Sequence, residues 1–266
     1  MPAAPETIAV IDFETTGLSP AAGARATEIA AVLVRDGQIV GHYASLMRSG
    51  AWVPPFIEQL TGISNAMLER APPAGQVMRE VTAFVGACPL VAHNAAFDRS
   101  FWCAELRRAE REPPPRSPSR PKSAEHLAGR AGPEARPFAR HNQSSGLFAS
   151  GLSPPGDDVK RILGPSSHRF ACTMLLARRL YPESANHRLG TLAALHRLPI
   201  SGRAHRALAD ADITAQLLLQ MQHDVMKRFA LPAAPHALLM RLQRAARDNL
   251  AACVARHEAC AGEAIA

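Results

Sequence analysis

A short apolar segment near the amino terminus ends in two acidic residues, and this arrangement constrains the fold more than any other feature of the chain. Residues 7–13 are β-branched and apolar, which predicts a buried strand. Side chains alternate between the two faces of a strand, so Asp12 and Glu14 point to the same face. Two carboxylates held that close repel each other unless a cation lies between them. The pair therefore predicts a divalent-metal site, for Mg²⁺ or Mn²⁺, in an α/β protein.

Hydrophobic patterns further along the chain predict the elements that surround this strand. Residues 29–34 and 38–46 are strand-like runs joined by Asp36-Gly37, which predicts a hairpin that continues the first strand as an antiparallel meander. Apolar spacing and short apolar runs predict the later elements: a strand at 89–92 and helices at 74–85, 95–109, 171–180, 189–195, 206–228 and 236–260.

The stretch from residue 111 to about 168 differs in composition from the rest of the chain. It holds ten of the 22 prolines, and counted to Arg169 it carries ten Lys/Arg against five Asp/Glu, which is +5 of the net charge of +7. This composition cannot build a packed core, so we expect a disordered basic insertion at the surface. Three interpretations stay open: a tethered arm that attracts phosphate, an insertion without a function, and a sequence error. The remainder carries only about +2, which is weak evidence for a nucleic-acid groove.

Cysteine content and the distribution of apolar residues indicate the compartment. The number of cysteines, five, is odd, and they lie in ordinary helical or strand-like segments. We therefore expect no disulfide framework and a reducing environment. No apolar run reaches the roughly 18 residues that a membrane span needs, and the amino terminus has no pattern typical of a secretory signal. We therefore expect a cytoplasmic protein without a membrane partner.

Two later segments supply the further acidic residues that a metal site requires. Asp98 follows His93-Asn94 in the first turn of a helix, close to the end of a strand where open α/β sheets bind ligands. Asp210 lies one turn into the long helix that starts near His205. An imidazole beside such a cluster can take a proton from an attacking water, because its unperturbed pKa is about 6.5. Each residue alone has an ordinary structural explanation, but their joint occurrence indicates an active site.

These motifs together resemble the DnaQ-like exonucleases of the DEDDh group, the family of the proofreading epsilon subunit of bacterial DNA polymerase III. The family's strand-borne Asp-x-Glu, its Asp after a His-Asn turn and its His-x4-Asp are matched, in order, by Asp12 and Glu14, by Asp98, and by His205 and Asp210. The sister group has a tyrosine four residues before the last Asp; this chain has Arg206 there, so the histidine class fits. The resemblance covers residues 6–110 and 169–228.

The resemblance implies a ribonuclease H-like three-layer α/β fold, with a central mixed sheet of an antiparallel meander plus parallel strands, flanked by helices. It also implies a two-metal hydrolysis of phosphodiester bonds from a 3′ end, with release of nucleoside 5′-monophosphates. Two divalent cations, Mg²⁺ or Mn²⁺, would be held by four carboxylates: Asp12, Glu14, Asp98 and Asp210. His205 would be the general base. The terminal nucleotide would contact a further set: Thr15, Thr16, Gly17, His93 and Asn94.

The expected substrate is a single-stranded or frayed 3′ end of DNA, in proofreading or repair, with a DNA polymerase subunit as a candidate partner. RNA or short oligoribonucleotides are the alternative substrate, because nothing in the sequence reads a 2′-hydroxyl decisively. A non-catalytic module that binds a polymerase is a third hypothesis, which the complete catalytic set disfavours. We expect an exonuclease domain over 1–230, interrupted by the insertion at 111–168, and a helical extension over 231–266.

Overall fold

The structure is a computed structural model that describes residues 6–112, 170–199, 202 and 204–263, with the side chains of 261–263 excepted. The predicted insertion at 111–168 lies almost wholly outside these residues, so its predicted disorder stays a prediction. The five candidate catalytic residues all lie within them.

A five-stranded mixed sheet forms the centre of the fold, with the strand order β3-β2-β1-β4-β5. The strands are β1 (Ile8–Thr15), β2 (Ala26–Arg35), β3 (Gln38–Leu46), β4 (Leu90–Ala92) and β5 (Phe170–Cys172). The first three pair antiparallel as a meander, whereas β4 runs parallel to β1 and β5 runs parallel to β4. This confirms the predicted combination of an antiparallel meander with parallel strands.

Helices cover both faces of this sheet. They are α1 (Pro55–Thr61), α2 (Asn65–Glu69), α3 (Ala74–Val85), α4 (Ala95–Arg111), α5 (Thr173–Leu180), α6 (Leu189–Leu195), α7 (Ala207–Phe229), α8 (His236–Leu242) and α9 (Leu250–Glu263). Short 3-10 turns lie at Pro20–Ala22 and Arg247–Asn249. Among the described helices, none combines the length and apolar character that crossing a bilayer needs.

Alternation of side chains along β1 and β2 divides the core into two clusters, one on each face of the sheet. Val10 and Val32 pack on one face with apolar residues of α5 to α9. Ile11 and Ile29 pack on the other face with α3 and α4. Strands that are apolar on both faces need helices on both sides, because either face left in water would lose its hydrophobic stabilisation. The predicted three-layer arrangement is therefore confirmed.

Two of the helix predictions are wrong. The pattern predicts one helix over 171–180, but Phe170–Cys172 form β5 and the helix begins only at Thr173. A three-residue apolar strand is too short to be distinguished from a helix by its periodicity. The predicted final helix over 236–260 is also broken, into α8, a 3-10 turn and α9. Helices α1 and α2 have no counterpart in the prediction.

The segment after residue 230 packs against the same sheet. Leu238 and Leu239 of α8 are fully buried in the cluster that contains Val10. The ring of His236 hydrogen-bonds to the carbonyl oxygen of Leu90, with 2.9 Å between Nε2 and the oxygen. These contacts join α8 to β1 and β4, while the division of the chain at residue 230 stays a prediction.

Candidate active site

The carboxyl ends of the parallel strands β1 and β4 bring three of the predicted acids to one edge of the sheet. Asp12 and Glu14 lie in the second half of β1, and Asp98 lies in the first turn of α4, which follows β4. The backbone N–H of Phe13 donates a hydrogen bond to Oδ1 of Asp98 at 3.2 Å. Asp98 is only 2% exposed, so this contact fixes α4 against β1 between the two strand carboxylates. The edge is the one at which α/β sheets bind ligands.

Helix α7 and the residues just before it bring the last two predicted residues to the same edge. One ligand atom from each of Glu14, His205 and Asp210 lies within 4.8 Å of the other two, and within the described residues these three form a group suited to hold a metal ion. The backbone N–H of His205 donates to Oδ2 of Asp210 at 3.2 Å. Glu14 and Asp210 are half-buried, whereas His205 is exposed. The imidazole therefore lies beside the carboxylates and in contact with solvent.

Electrostatics link the two strand acids to the acids of the helices. Burial raises the pKa of Asp12 well above its usual value, and the charges of Asp98, Glu14 and Asp210 raise it further, in that order. Burial, followed by the charge of Asp210, raises the pKa of Glu14 to about 8. Such effects require short separations, so the four carboxylates are one cluster rather than four isolated groups.

The pKa values of the two acids on helices, Asp98 and Asp210, are also raised. Burial raises the pKa of Asp98 to about 8, although the N–H of Phe13 opposes this rise by stabilising the ionised form. Burial also raises the pKa of Asp210, and His205 opposes the rise. Burial disfavours the ionised form of all four carboxylates, and the charges of neighbouring acids add to this effect at Asp12 and Glu14. Such a cluster fits a site for divalent cations, whose positive charge would favour the ionised forms.

The predicted substrate-binding turn after β1 is held by its own hydroxyl groups. The hydroxyl of Thr15 donates to the carbonyl oxygen of Gly17 at 2.7 Å, and Oγ1 of Thr16 accepts a hydrogen bond from the N–H of Arg25 at 3.0 Å. The N–H of Thr16 also donates to the carbonyl of Arg25 at 2.9 Å. The turn therefore has a fixed shape next to Glu14, and its contact with substrate stays a prediction.

The other predicted substrate-binding pair forms the turn between β4 and α4. Nδ1 of His93 lies 2.9 Å from the hydroxyl oxygen of Thr173, and the ring also hydrogen-bonds to the backbone of His187. Burial lowers the pKa of His93 to about 4, so its ring is neutral at pH 7. Asn94 has a left-handed backbone with φ of 61° and immediately precedes α4, a conformation that asparagine tolerates better than most residues. Both residues shape the turn that places Asp98.

Two buried glutamates near the site have no part in the sequence prediction. Glu28 on β2 lies opposite Glu14 in the strand register and is 4% exposed. Glu105 on α4 is 1% exposed and accepts two hydrogen bonds from the guanidinium of Arg25, at 2.8 and 3.0 Å. The sequence could have indicated both residues, since each is a charged residue within an element that is otherwise apolar on that face. A carboxylate in such a position is buried and therefore requires a partner.

The sheet order, the helical layers and the acidic site at the end of β1 together define a nuclease-like α/β enzyme. The chain belongs to the RNase_T family of exonucleases, whose family model matches residues 9–127 and 157–218. This confirms the resemblance to DnaQ-like exonucleases of the DEDDh group. The chain therefore carries an exonuclease domain of this family.

Relatives by sequence include two long bacterial proteins. The chain is 44% identical over 100 residues to the 3′-5′ exonuclease DinG of Bacillus subtilis, and the aligned region covers 38% of this chain and 11% of that protein. It is 30% identical over 219 residues to the PolC-type DNA polymerase III of Halalkalibacterium halodurans, and the aligned region covers 82% of this chain and 12% of the polymerase. The chain thus spans about one-eighth to one-ninth of the length of these relatives.

Solved structures with the same fold include two further exonucleases. Exonuclease X in complex with 5′ overhanging duplex DNA has a TM-score of 0.51 at 24% identity, over 88% of this chain and 99% of that one. Exonuclease I has a TM-score of 0.55 at 15% identity, over 85% of this chain and 43% of that one. Both confirm the ribonuclease H-like fold.

Proposed function

We propose that this exonuclease removes nucleotides from single-stranded or frayed 3′ ends of DNA. The observation that carries the proposal is the convergence of Glu14, His205 and Asp210 within 4.8 Å, beside Asp12 and Asp98. The relative with the broadest coverage of the two described above is a DNA polymerase of the PolC type, which favours DNA over RNA as the substrate.

The proposed cofactors are two divalent cations, Mg²⁺ or Mn²⁺, held by the four carboxylates. The residues present fit this group, because four crowded acids with raised pKa values gain most from added positive charge. Carboxylate oxygens are the ligands that these hard cations prefer. When bound, such cations supply charge stabilisation at the phosphate and make a coordinated water more acidic.

His205 is the proposed general base. Its ring is exposed and lies beside Glu14 and Asp210, so it can take a proton from the attacking water and pass it to solvent. Its backbone is held by Asp210, which limits the positions that the ring can reach. Proton removal at this point makes the water a better nucleophile toward phosphorus.

The proposed substrate contacts come from the two turns that border the acids. The turn at Thr15, Thr16 and Gly17 begins where β1 ends, and His93-Asn94 begin where β4 ends. Both turns therefore lie at the edge of the sheet that carries the acids. In this proposal they orient the terminal nucleotide, while the acidic cluster faces the phosphodiester bond to be cleaved.

A digestion assay on matched strands tests the proposal. The full chain is incubated with 5′-labelled single-stranded DNA and with RNA of the same sequence, with Mg²⁺, with Mn²⁺ or with EDTA. We expect a ladder of DNA products shortened from the 3′ end, and no products in EDTA. Faster digestion of the RNA would contradict the assignment of DNA as substrate.

Three variants assign the activity to the site. Asp12→Ala removes a proposed metal ligand and should abolish digestion. His205→Ala should reduce the rate by about 10²- to 10⁴-fold, the range for loss of a general base. Asp248→Ala removes an exposed acid in the 3-10 turn before α9 and is the matched control. Undiminished digestion by Asp12→Ala or His205→Ala would show that the proposed site is wrong.

The proposed role in replication proofreading or repair predicts a preference among duplex ends. A 3′-terminal mismatch should be digested faster than a matched end, because separating a mismatched base from its partner costs less free energy. Equal rates on matched and mismatched duplexes would contradict a proofreading role, while leaving single-strand digestion as a separate result.

A further inference from the structure

Glu28 is a buried carboxylate, and within the described part of the chain its hydrogen-bond donors all come from one short segment. The guanidinium of Arg206 donates from Nε to Oε2 at 3.0 Å and from Nη2 to Oε1 at 2.7 Å. The backbone N–H of Ala207 donates to Oε2 at 3.0 Å. Burying a carboxylate costs several kcal/mol unless it is paired and hydrogen-bonded, and this two-pronged geometry is among the strongest pairings available.

The segment that Glu28 holds is the one that carries the proposed general base. Arg206 and Ala207 directly follow His205, and Ala207 is the first residue of α7. Arg206 precedes that helix, but its own side chain makes no capping hydrogen bond to it. The carboxylate of Glu28 therefore accepts from the first free N–H of α7, at the end where the helix dipole favours a negative charge.

His205 itself needs this support, because it is exposed and its backbone is strained. Its φ of 59° lies in the left-handed region, which is unfavourable for a residue other than glycine. Such a conformation persists only where neighbouring contacts impose it. Two contacts do so here: Asp210 accepts from the N–H of His205, and Glu28 holds the two residues that follow.

The strand register places Glu28 directly opposite Glu14, where it can fix the position of His205 and Asp210 relative to the acids of β1. Glu28 and Glu14 are partners across β1 and β2, and they lie on the same face of the sheet as Val32 and α7. A displacement of the Arg206 segment would move His205 and Asp210 away from Glu14 together. We propose that Glu28 and Arg206 form a clasp that positions His205 and Asp210 against the acids of β1 for hydrolysis.

This inference rests on the proposed function, since it assigns His205 to the reaction. Glu28 and Arg206 are positioning residues in it, because they act through His205 and Asp210 and have no proposed contact with substrate. The alternative is a clasp that only stabilises the fold. The experiment therefore needs a readout that a loss of stability alone would leave unchanged.

A kinetic cycle with His205 supplies that readout. Glu28→Gln removes the charge and places an amide donor toward Arg206. It should lower kcat by about 10- to 100-fold, which is the cost of misplacing a catalytic group by about 1 Å. KM should be nearly unchanged. In the His205→Ala background the same change should cause a clearly smaller loss of kcat, because one of the two groups that the clasp positions is already absent and only the misplacement of Asp210 remains. An equal loss in both backgrounds would overturn the proposal.

Two further variants separate positioning from folding. Arg206→Lys keeps the charge but loses the two-pronged contact, so it should give a smaller loss of kcat than Glu28→Gln. Tyr181→Phe removes a 2.7 Å hydrogen bond to Asp224, also on α7 but distant from the site, and should leave kcat unchanged. Activity in a folded Glu28→Gln protein equal to that of the parent would overturn the proposal.

Amide hydrogen exchange tests the clasp independently of activity. Glu28→Gln should speed the exchange of the amides of residues 205–210 in the metal-free protein, whereas Tyr181→Phe should not. Unchanged exchange in this segment would overturn the clasp even if the parent digests DNA. Conversely, a parent that does not digest DNA, with faster exchange in Glu28→Gln, would contradict the proposed function and leave the clasp supported.

Discussion

Asp98 differs from the other acids of the cluster in its degree of burial. It is 2% exposed, whereas Asp12, Glu14 and Asp210 are half-buried. Its hydrogen bond from Phe13 N–H satisfies one oxygen, and burial still raises its pKa to about 8. A carboxylate in this position destabilises the metal-free protein when ionised, and the proposed binding of cations would offset this cost.

Asp98→Asn should therefore separate stability from activity. The amide oxygen can still accept from Phe13 N–H, but the charge is gone. In EDTA at about pH 9, we expect the melting temperature to rise by about 2–4 °C, equivalent to about 1 kcal/mol, while metal-dependent digestion is lost. Asp248→Asn, at an exposed position, should change neither quantity. A lower melting temperature for Asp98→Asn would contradict the account of an electrostatically strained cluster.

The sequence predicts the acidic residues of the site but not the residues that hold them. Asp12, Glu14 and Asp98 are recognisable because their order and local spacing are characteristic of a nuclease family. The pairing of Glu28 with Arg206 joins positions 178 residues apart, so it depends on how β2 meets α7. A local pattern shows that a buried glutamate needs a partner, but only the tertiary structure shows which partner it has.

At the scale of elements, the predictions fail where a segment is short or lies at the edge of the sheet. Strand β5 has three residues, and among the residues that the structure describes its outer edge is covered by a side chain and not by another strand. Oε1 of Gln243 accepts from the N–H of Cys172 at 2.6 Å, and its Nε2 lies 3.4 Å from the carbonyl oxygen of Phe170. Gln243 is also the residue that follows the last residue of α8. No periodicity in the sequence could indicate this contact.

Gln243→Met should show how much this contact contributes. Methionine keeps the approximate volume but leaves the N–H of Cys172 buried without an acceptor, which costs about 1–3 kcal/mol. We expect a lower urea midpoint with an unchanged slope of the unfolding transition. Arg244→Met, at the neighbouring exposed position, is the control and should change the midpoint little. Equal midpoints for Gln243→Met and the parent would refute the role of Gln243.

The contact between α4 and the start of β2 gives a second prediction at this scale. Glu105 accepts from the guanidinium groups of Arg25 and Arg108 and from the N–H of Ala26. Glu105→Gln should destabilise the protein by about 1.5–3 kcal/mol, the range for hydrogen bonds to a charged group. It should also raise KM for single-stranded DNA, because Arg25 holds the turn at Thr16.

Glu110→Gln on the same helix is the matched control for this change. Glu110 is exposed, so its substitution should alter stability by no more than about 0.5 kcal/mol and leave KM as it is. If both variants have the same urea midpoint, Glu105 does not anchor the start of β2. A lowered midpoint with unchanged KM would instead limit its role to stability.

At the scale of the whole molecule, the two apolar faces of the sheet explain why the general architecture is predictable. β1 and β2 are apolar at nearly every position, which requires helices on both sides and excludes an open sheet with one wet face. The order in which the strands pair is less accessible, because β4 and β5 are short and join the sheet by parallel pairing across long connections. The family resemblance implies the mixture of an antiparallel meander with parallel strands, but the order of the strands comes from the structure.

The charge state of the acidic cluster should affect the stability of the whole metal-free protein. Glu14 and Asp98 hold protons up to about pH 8 when folded, but release them near pH 4 when unfolded, so between these values the folded state binds more protons. Stability from these groups therefore falls as pH rises toward about 8.

His93 acts in the opposite direction only below about pH 6.5, because its folded pKa is about 4. In EDTA we expect the melting temperature to fall between about pH 6.5 and pH 8.5, and Mg²⁺ to raise it most at the upper end. Asp98→Asn should flatten this dependence. A metal-free melting temperature that rises across the same interval, in a protein that binds Mg²⁺, would show that the carboxylates do not crowd one another as the structure indicates.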